Sequence, residues 1–221
     1  ILGVPFGAWL GQHFGWRATF WAVTLVGVVA FAIIALLVPA SKEAPEAFNL
    51  REDFAVLKRG PVLAGLLTTV LGWVGVFAVF TYLAPLLTRV TGFSDAAVSP
   101  ILLVVGIGLL IGNLLGGRFA DKHLMPTVFG SLFALALVLA LMTFAVHDKT
   151  AMVVFAALFG VAAFATAPPL QMWVLEKAHG AGQSLASSFN IAAFNLGNAI
   201  GAWLGGTVIA RGPGLESVPW I

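Results

Sequence analysis

Formal charges cut the chain into long apolar runs. The uncharged stretches are residues 18–38 (extending to Pro39), 60–88, 96–117, 123–147, 150–175 and 178–210, preceded by a shorter apolar stretch at residues 1–16. A helix needs roughly 20 apolar residues to cross the hydrocarbon of a bilayer. The runs are rich in Leu, Val, Ala and Phe. They lack the short polar–apolar alternation that a closed barrel requires. The pattern predicts six complete membrane helices and one partial helix. The domain organisation expected is the end of one bundle at 1–39, a linker at 40–60 and a second bundle at 61–221. Because the apolar pattern starts at Ile1, within a helix, we expect the chain to be an excerpt of a longer protein.

Composition sharpens this picture. Of the 221 residues 60% are hydrophobic and 9% charged, and the mean hydropathy is +1.03. A soluble domain carries about 25% charged residues, so lipid is the expected solvent. The net charge of +2 is small and its Lys and Arg are scattered, which gives no nucleic-acid footprint. The chain has no Cys, which removes disulfides and thiolate metal sites.

Loop charge gives a direction. Alternate loops carry Lys42, Arg51, Lys58, Arg59, Arg118, Lys122 and Lys177 on one side, and Arg17, Arg89, Lys149 and Arg211 on the other. Seven against four puts the first set in the cytoplasm. The long loop there holds Asn49 as a helix N-cap with Glu52 three residues on, followed by Leu50, Phe54 and Leu57 at helical spacing. It predicts a short amphipathic linker helix between bundles.

The string Gly-Ala-Trp-Leu-Gly occurs at Gly7–Gly11 and again at Gly201–Gly205, each followed by an Arg, Arg17 or Arg211. The copies are six helices apart and run in the same direction. Two parallel six-helix halves follow, an arrangement seen in transporters built from repeats. The partial helix is then the fifth of twelve and the last complete one the eleventh.

With the repeat go several local patterns. Gly3-Val4-Pro5-Phe6-Gly7-Ala8-Trp9-Leu10-Gly11 resembles the Gly/Pro antiporter motif of the major facilitator superfamily. Gly15-Trp16-Arg17 with Phe20 resembles the junction that follows it. Gly117, Arg118, Asp121 and Lys122 resemble the second copy of the Gly-x-x-x-Asp-Arg/Lys loop motif. The whole chain is similar to the drug/proton-antiporter type of that superfamily, in its sugar-efflux (arabinose-efflux-permease-like) group. The resemblance implies an all-α polytopic fold, with residues 61–221 forming most of the C-terminal six-helix bundle. It also implies alternating access in the bacterial inner membrane, export of small organic solutes coupled to protons, and a monomeric protein.

Glycines recur every four residues in three runs: Gly3, Gly7, Gly11 and Gly15; Gly108, Gly112 and Gly116; Gly197, Gly201 and Gly205. Such stripes let helix backbones approach closely. In the family, helices at these positions meet across the two halves, so the expectation is inter-bundle packing.

Ionisable groups deep in a membrane mark proton or ion chemistry, and no Asp, Glu, Lys or Arg lies deep in a complete run. The pathway candidates are therefore neutral: Thr69, Trp73 and Phe77 on the first helix of the second bundle, Thr166 and Gln171 on the fourth, and Asn190, Asn195 and Asn198 on the fifth. Thr81, Tyr82 and Asn113 are further polar positions. Each amide or hydroxyl could equally serve a helix–helix hydrogen bond. Pro168-Pro169 predicts a kink.

Enzyme signatures are missing. Gly182-Gln183-Ser184-Leu185-Ala186 has no His or Asp within a helix to activate Ser184. Gly106, Gly108 and Gly112 have the wrong spacing for a dinucleotide fingerprint. His13, His123, His147 and His179 lie near loops and never pair at i, i+4. The expectation is a transporter without catalytic residues, metal or cofactor. An uptake symporter and a non-transporting membrane sensor or structural protein are the alternatives.

Overall fold

The computed structural model describes residues 3–38, 55–179 and 182–220. Among them the structure is helical, without strands. The chain divides into two compact units, Ile1–Phe48 and Asn49–Ile221. Most of the linker helix expected to start at Asn49 lies within residues 39–54, outside the described residues, and residues 55–56 are helical.

The first unit is a helical hairpin. Helix α1 covers Gly3–Phe14 and α2 covers Trp16–Leu37. Gly15 between them has φ 81°, in the left-handed region that side chains avoid. A turn this tight brings Thr19 back onto α1. Its hydroxyl donates to the Gly7 carbonyl at 3.3 Å, and its side chain lies 3.5 Å from where a Cβ on Gly7 or Gly11 would stand. Helix α2 buries none of its side chains among the described residues.

The second unit opens with α3, Gly60–Pro85, which continues through a wider turn at Leu86–Val90. The Thr91 and Phe93 amides bond back to the Leu86 and Leu87 carbonyls at 3.1 and 3.0 Å, and Gly92 at φ 77° ends the helix. Next come α4 (Asp95–Lys122), α5 (Leu124–Ala145) and α6 (Lys149–Ala165). Asp148 caps α6, its carboxylate accepting from the Ala151 amide at 2.7 Å. Helix α7 (Ala167–Lys177) continues α6 after a break at Thr166. Helix α8 runs Gln183–Arg211, and a short 3-10 segment follows at Leu215–Trp220.

The prolines explain the break. Pro168 and Pro169 have no amide hydrogen, so the Phe164 and Ala165 carbonyls lose their helical donors. Both prolines sit in the first turn of α7, where that loss costs least. The expected kink is therefore a change of helix.

Five helical stretches among the described residues are long and apolar enough to cross a membrane: Trp16–Leu37, Gly60–Val90, Asp95–Lys122, Leu124–Ala145 and Lys149–Lys177. The sixth expected span, 178–210, is the exception. Helix α8 has 29 residues, or about 43 Å at 1.5 Å per residue, so its length suffices. Its Gln, Ser and Asn side chains make it more polar than the five. A helix that polar needs its amides paired against neighbours rather than facing lipid.

Two close helix pairs carry the bundle, and both stripes of glycine in this unit lie at them. Along α4, a Cβ on Gly108, Gly112 or Gly116 would run into the Ala157, Val161 and Ala165 carbonyls of α6 in turn. Along α8, Gly197 and Gly201 meet α3 in the same manner, at the Val70 and Val74 carbonyls, and Gly205 lies against the Tyr82 ring with the Ala78 carbonyl behind it. In each pair the contacts advance by four residues in the same direction, so the paired helices are parallel. The inter-bundle packing expected of Gly108, Gly112, Gly197 and Gly201 is corrected here. Backbone of their own bundle already occupies the space a side chain would take. The freed Ala165 carbonyl faces Gly116, which places a bare Cα where the helix break leaves an acceptor.

Between the pairs lies an apolar core that includes Leu83, Leu86, Leu87, Met142, Met152, Phe159 and Leu170, all nearly inaccessible. A smaller cluster at one end joins Val56, Val62, Val174, Ala178 and Ala186. At that end Arg59 donates to the His179 carbonyl at 3.1 Å, tying the start of α3 to the end of α7. At the other end the Lys149 ammonium lies 5.6 Å from the Phe93 ring centre, and His147 stands 3.6 Å from Glu216. Lys58, Arg59, Arg118, Lys122 and Lys177 thus share one end of this bundle. Arg89, Lys149 and Arg211 share the other.

Candidate substrate-binding face

The interface of α3 with α8 is built in layers. Residues on α3 meet residues 120 to 127 positions later on α8. In the first layer Thr69 and Asn190 are fully buried. The Thr69 hydroxyl lies 2.9 Å from Asn190 Oδ1 and 3.0 Å from the Gly65 carbonyl, so its one hydrogen is shared between two acceptors. Asn190 Nδ2 donates to Gln171 Oε1 at 2.5 Å, and Gln171 Nε2 donates to Ser187 Oγ at 2.9 Å. Four side chains from α3, α7 and α8 therefore form one continuous relay.

One turn along, the polar layer gives way to rings. Trp73 is 7% exposed. Its ring meets Phe194 edge-on at 4.7 Å, Phe164 edge-on at 5.5 Å and Phe77 stacked at 5.9 Å. Phe77 continues to Phe80 at 5.6 Å. Phe77, Phe80, Phe164 and Phe194 are only partly buried, so the cluster has an accessible rim. The Trp73 Nε1 hydrogen, however, is buried with no acceptor in reach among the described residues. Further along α8, next to Gly197, Asn198 Oδ1 is buried with no donor among the described residues. Beyond it, Tyr82 lies over Gly205 and Gly206, and its hydroxyl donates to the Ala202 carbonyl at 2.8 Å.

An unfilled donor and an unfilled acceptor buried on the same pair of helices are uncommon. Buried polar atoms are paired in the great majority of cases, and leaving one unpaired costs about 1–3 kcal/mol. The unmet capacity belongs to neutral groups, so the pair suits a neutral hydroxyl, carbonyl or amide rather than a full charge.

Of the eight pathway residues expected from sequence, the structure joins Thr69, Gln171 and Asn190 by hydrogen bonds. It joins Trp73 and Phe77 by ring contact and buries Asn198 Oδ1 without a donor among the described residues. It leaves two apart. Thr166 is buried at the helix break, its hydroxyl bonded to the Ala163 carbonyl at 2.6 Å. Asn195 is exposed and turned back to the Ile191 carbonyl of its own helix at 2.9 Å. Asn113 is exposed on α4, and Thr81 is exposed on α3. Ser187, Phe164 and Phe194 belong to the layers and were not singled out in the sequence. Ser187 and Phe194 fall three residues before and four after Asn190, on the same helix face. That spacing could have found both. In the loop motif, Arg118, Asp121 and Lys122 are exposed and make no ion pair among the described residues.

Comparison with known proteins agrees with this architecture. The family model of the Major Facilitator Superfamily matches residues 1–202. The inner membrane transport protein YdhP of Escherichia coli O157:H7 is 40% identical over 99% of this chain and 56% of its own length. A chloramphenicol resistance protein of Streptomyces lividans is 31% identical over 100% of the chain and 57% of its own length. The chain thus spans about half the length of the curated relatives it matches. Among solved structures, a bacterial homologue of the human lysosomal transporter Spinster, inward-facing and unoccupied, covers 95% of the chain with a TM-score of 0.57 at 18% identity. It spans 51% of that protein and shares the fold. With apolar spans, parallel glycine-packed pairs and a family model matching 202 of its 221 residues, the chain is part of a multi-pass inner-membrane protein and belongs to the Major Facilitator Superfamily.

Proposed function

We propose that the full-length protein is a proton-coupled antiporter that exports small, neutral organic solutes, sugars or drug-like compounds, by alternating access. The observation that carries this reading is the buried, unpaired Trp73 Nε1 and Asn198 Oδ1 beside a partly open aromatic rim. A binding face of this kind offers ring contact and two directional hydrogen bonds without a buried charge. The relay of Thr69, Asn190, Gln171 and Ser187 is already satisfied. Its part is to hold α3, α7 and α8 in register beneath that face.

Export rather than uptake rests on the resemblance of Gly3–Gly11 to the antiporter motif. A drug-like cargo is favoured by the similarity to a chloramphenicol resistance protein. The end bearing Lys58, Arg59, Arg118, Lys122 and Lys177 is the cytoplasmic one, since basic residues concentrate there. The bundle described here has no carboxylate deep in a helix, so the proton carrier lies outside it. The protein works as a monomer. The test is efflux from loaded proteoliposomes containing the full-length protein, across neutral sugars and amphipathic drugs, with and without an imposed pH gradient. Outward movement that follows the gradient supports the proposal. Uptake that follows it would make the protein a symporter. No movement of any solute would favour a sensor or structural role.

A further inference from the structure

A second hollow, remote in character from the aromatic face, opens along the α4–α5 hairpin and the break after α6. Its volume is about 430 Å³, and its walls include Leu115, Phe119, His123, Thr127, Gly130 and Ala134. From His123 to Ala134 it follows eleven residues of helix, or about 16 Å. That is close to the depth of one leaflet, about half of the ~30 Å hydrocarbon core.

The wall hydroxyls have no hydrogen to spare for a polar solute. The Thr127 hydroxyl is spent on the His123 carbonyl at 2.7 Å, and Ser131, deeper in the hollow, donates to the Val128 carbonyl at 3.1 Å. The Ala165 carbonyl, though freed by Pro169, faces Gly116. No Asp, Glu, Lys or Arg lines the cavity, and His123 is its one ionisable lining residue. At its mouth the picture reverses. Lys122 continues the stripe of Leu115 and Phe119 at i, i+4, i+7, and Arg118 precedes it by one turn. Both are exposed and without an ion pair among the described residues. Asp121 offsets one of the two cations, and the mouth keeps one net positive charge.

We propose that this hollow seats an acyl chain of an anionic glycerophospholipid, whose phosphate is held at Lys122 and Arg118. The apolar walls accept the chain, and their depth matches one leaflet. The unpaired cations lie at the helix ends, where headgroups sit.

The probe is phosphatidylglycerol, with phosphatidylcholine as the zwitterionic reference, titrated into detergent-purified full-length protein and read by native mass spectrometry. The parent protein should hold phosphatidylglycerol in preference to phosphatidylcholine. Lys122→Gln should weaken phosphatidylglycerol about fivefold, the effect of one basic group at a membrane surface, and leave phosphatidylcholine unchanged. Gly130→Leu should abolish retention of both. A Cβ there meets nothing within 4 Å, so the new side chain enters open space and the melting temperature should hold. Ala134→Leu, on the same wall, is an independent filling variant. Retention of phosphatidylglycerol by both filled variants would overturn the seat. Equal binding of the two lipids would overturn the headgroup contact. Displacement of phosphatidylglycerol by a transported solute would assign the hollow to cargo instead.

Discussion

The Thr69 hydroxyl and the Asn190 side-chain oxygen meet at 2.9 Å across the α3–α8 interface, both fully buried. They come from positions 121 residues apart. The contact ties α3 to α8 beneath the aromatic cluster, one turn before Trp73 meets Phe194 at 4.7 Å.

Breaking that contact should destabilise the protein rather than alter its selectivity. Thr69→Val keeps the shape of the side chain but leaves Asn190 Oδ1 buried without a donor. The cost should be about 1–3 kcal/mol. Interhelical hydrogen bonds within a membrane run lower, at about 0.6–2 kcal/mol, so the lower part of that range is expected. Thermal unfolding of the full-length variant in detergent should show a lowered melting temperature. The KM of the surviving transporter should be near that of the parent.

The glycine pairs give a sharper contrast. A Cβ at Gly112 would overlap the Val161 backbone, and one at Gly201 the Val74 backbone. A carbonyl of a packed helix cannot swing aside as a side chain can. Gly112→Ala and Gly201→Ala should each force the parallel helices apart and reduce the amount of folded protein in the membrane. Gly7→Ala meets only a Thr19 methyl at 3.5 Å and should be tolerated within its own hairpin. Fluorescence size-exclusion profiles of the three variants test this. Equal profiles for all three would remove the packing role from the glycines of α4 and α8.

The membrane fold was legible in the chain because a span is a composition. Runs without charge, and Pro168-Pro169, announce themselves locally. Helix α8 was legible as a helix, but its amides lower its hydropathy below that of the five other spans, since their partners lie on α3 and α7. The partners of the glycines were not legible. A stripe at four-residue spacing states that a backbone comes close, and is silent about which one. For Gly108, Gly112, Gly197 and Gly201 the answer was a neighbour in the same bundle. The candidate face was half visible. Thr69, Trp73 and Asn190 stood out by type and spacing. That Asn190 is satisfied and Asn198 is not depends on Gln171 and Ser187, which only folding brings to one of the two.

Sidedness is testable with single cysteines, since the chain contains none of its own. Cysteines at Lys58 and Lys149 should be labelled from opposite faces of the membrane by an impermeant maleimide. In the structure these residues stand at opposite ends of the bundle, the first beside the Arg59–His179 contact and the second against Phe93. Lys58 should react only after permeabilisation of whole cells, as loop charge predicts. Labelling of both from outside would overturn the topology.

The most exacting prediction separates ring contact from hydrogen bonding at Trp73. Trp73→Phe keeps an aromatic ring against Phe164 and Phe194 but removes the Nε1 donor and part of the ring volume. That donor has no partner among the described residues, so any fall in melting temperature should come from the lost ring volume of a buried side chain. Transport should respond to the lost donor as well. A solute that accepts a hydrogen bond from Nε1 should lose about 0.5–1.5 kcal/mol, or roughly a two- to twelve-fold rise in apparent KM. Asn198→Leu should act alike on solutes that donate a hydrogen bond. Because Asn198 follows Gly197, whose Cα packs against the Trp73 Cβ, the two losses should be less than additive for one solute that bridges both. Asn195→Ala should leave KM unchanged, since Asn195 is exposed and bonded to Ile191 of its own helix. The measurement is initial efflux rate against solute concentration in proteoliposomes, for parent, single and double variants. If Trp73→Phe and Asn195→Ala have the same effect on KM, the unpaired donor does not recognise the solute. The aromatic cluster is then only a core.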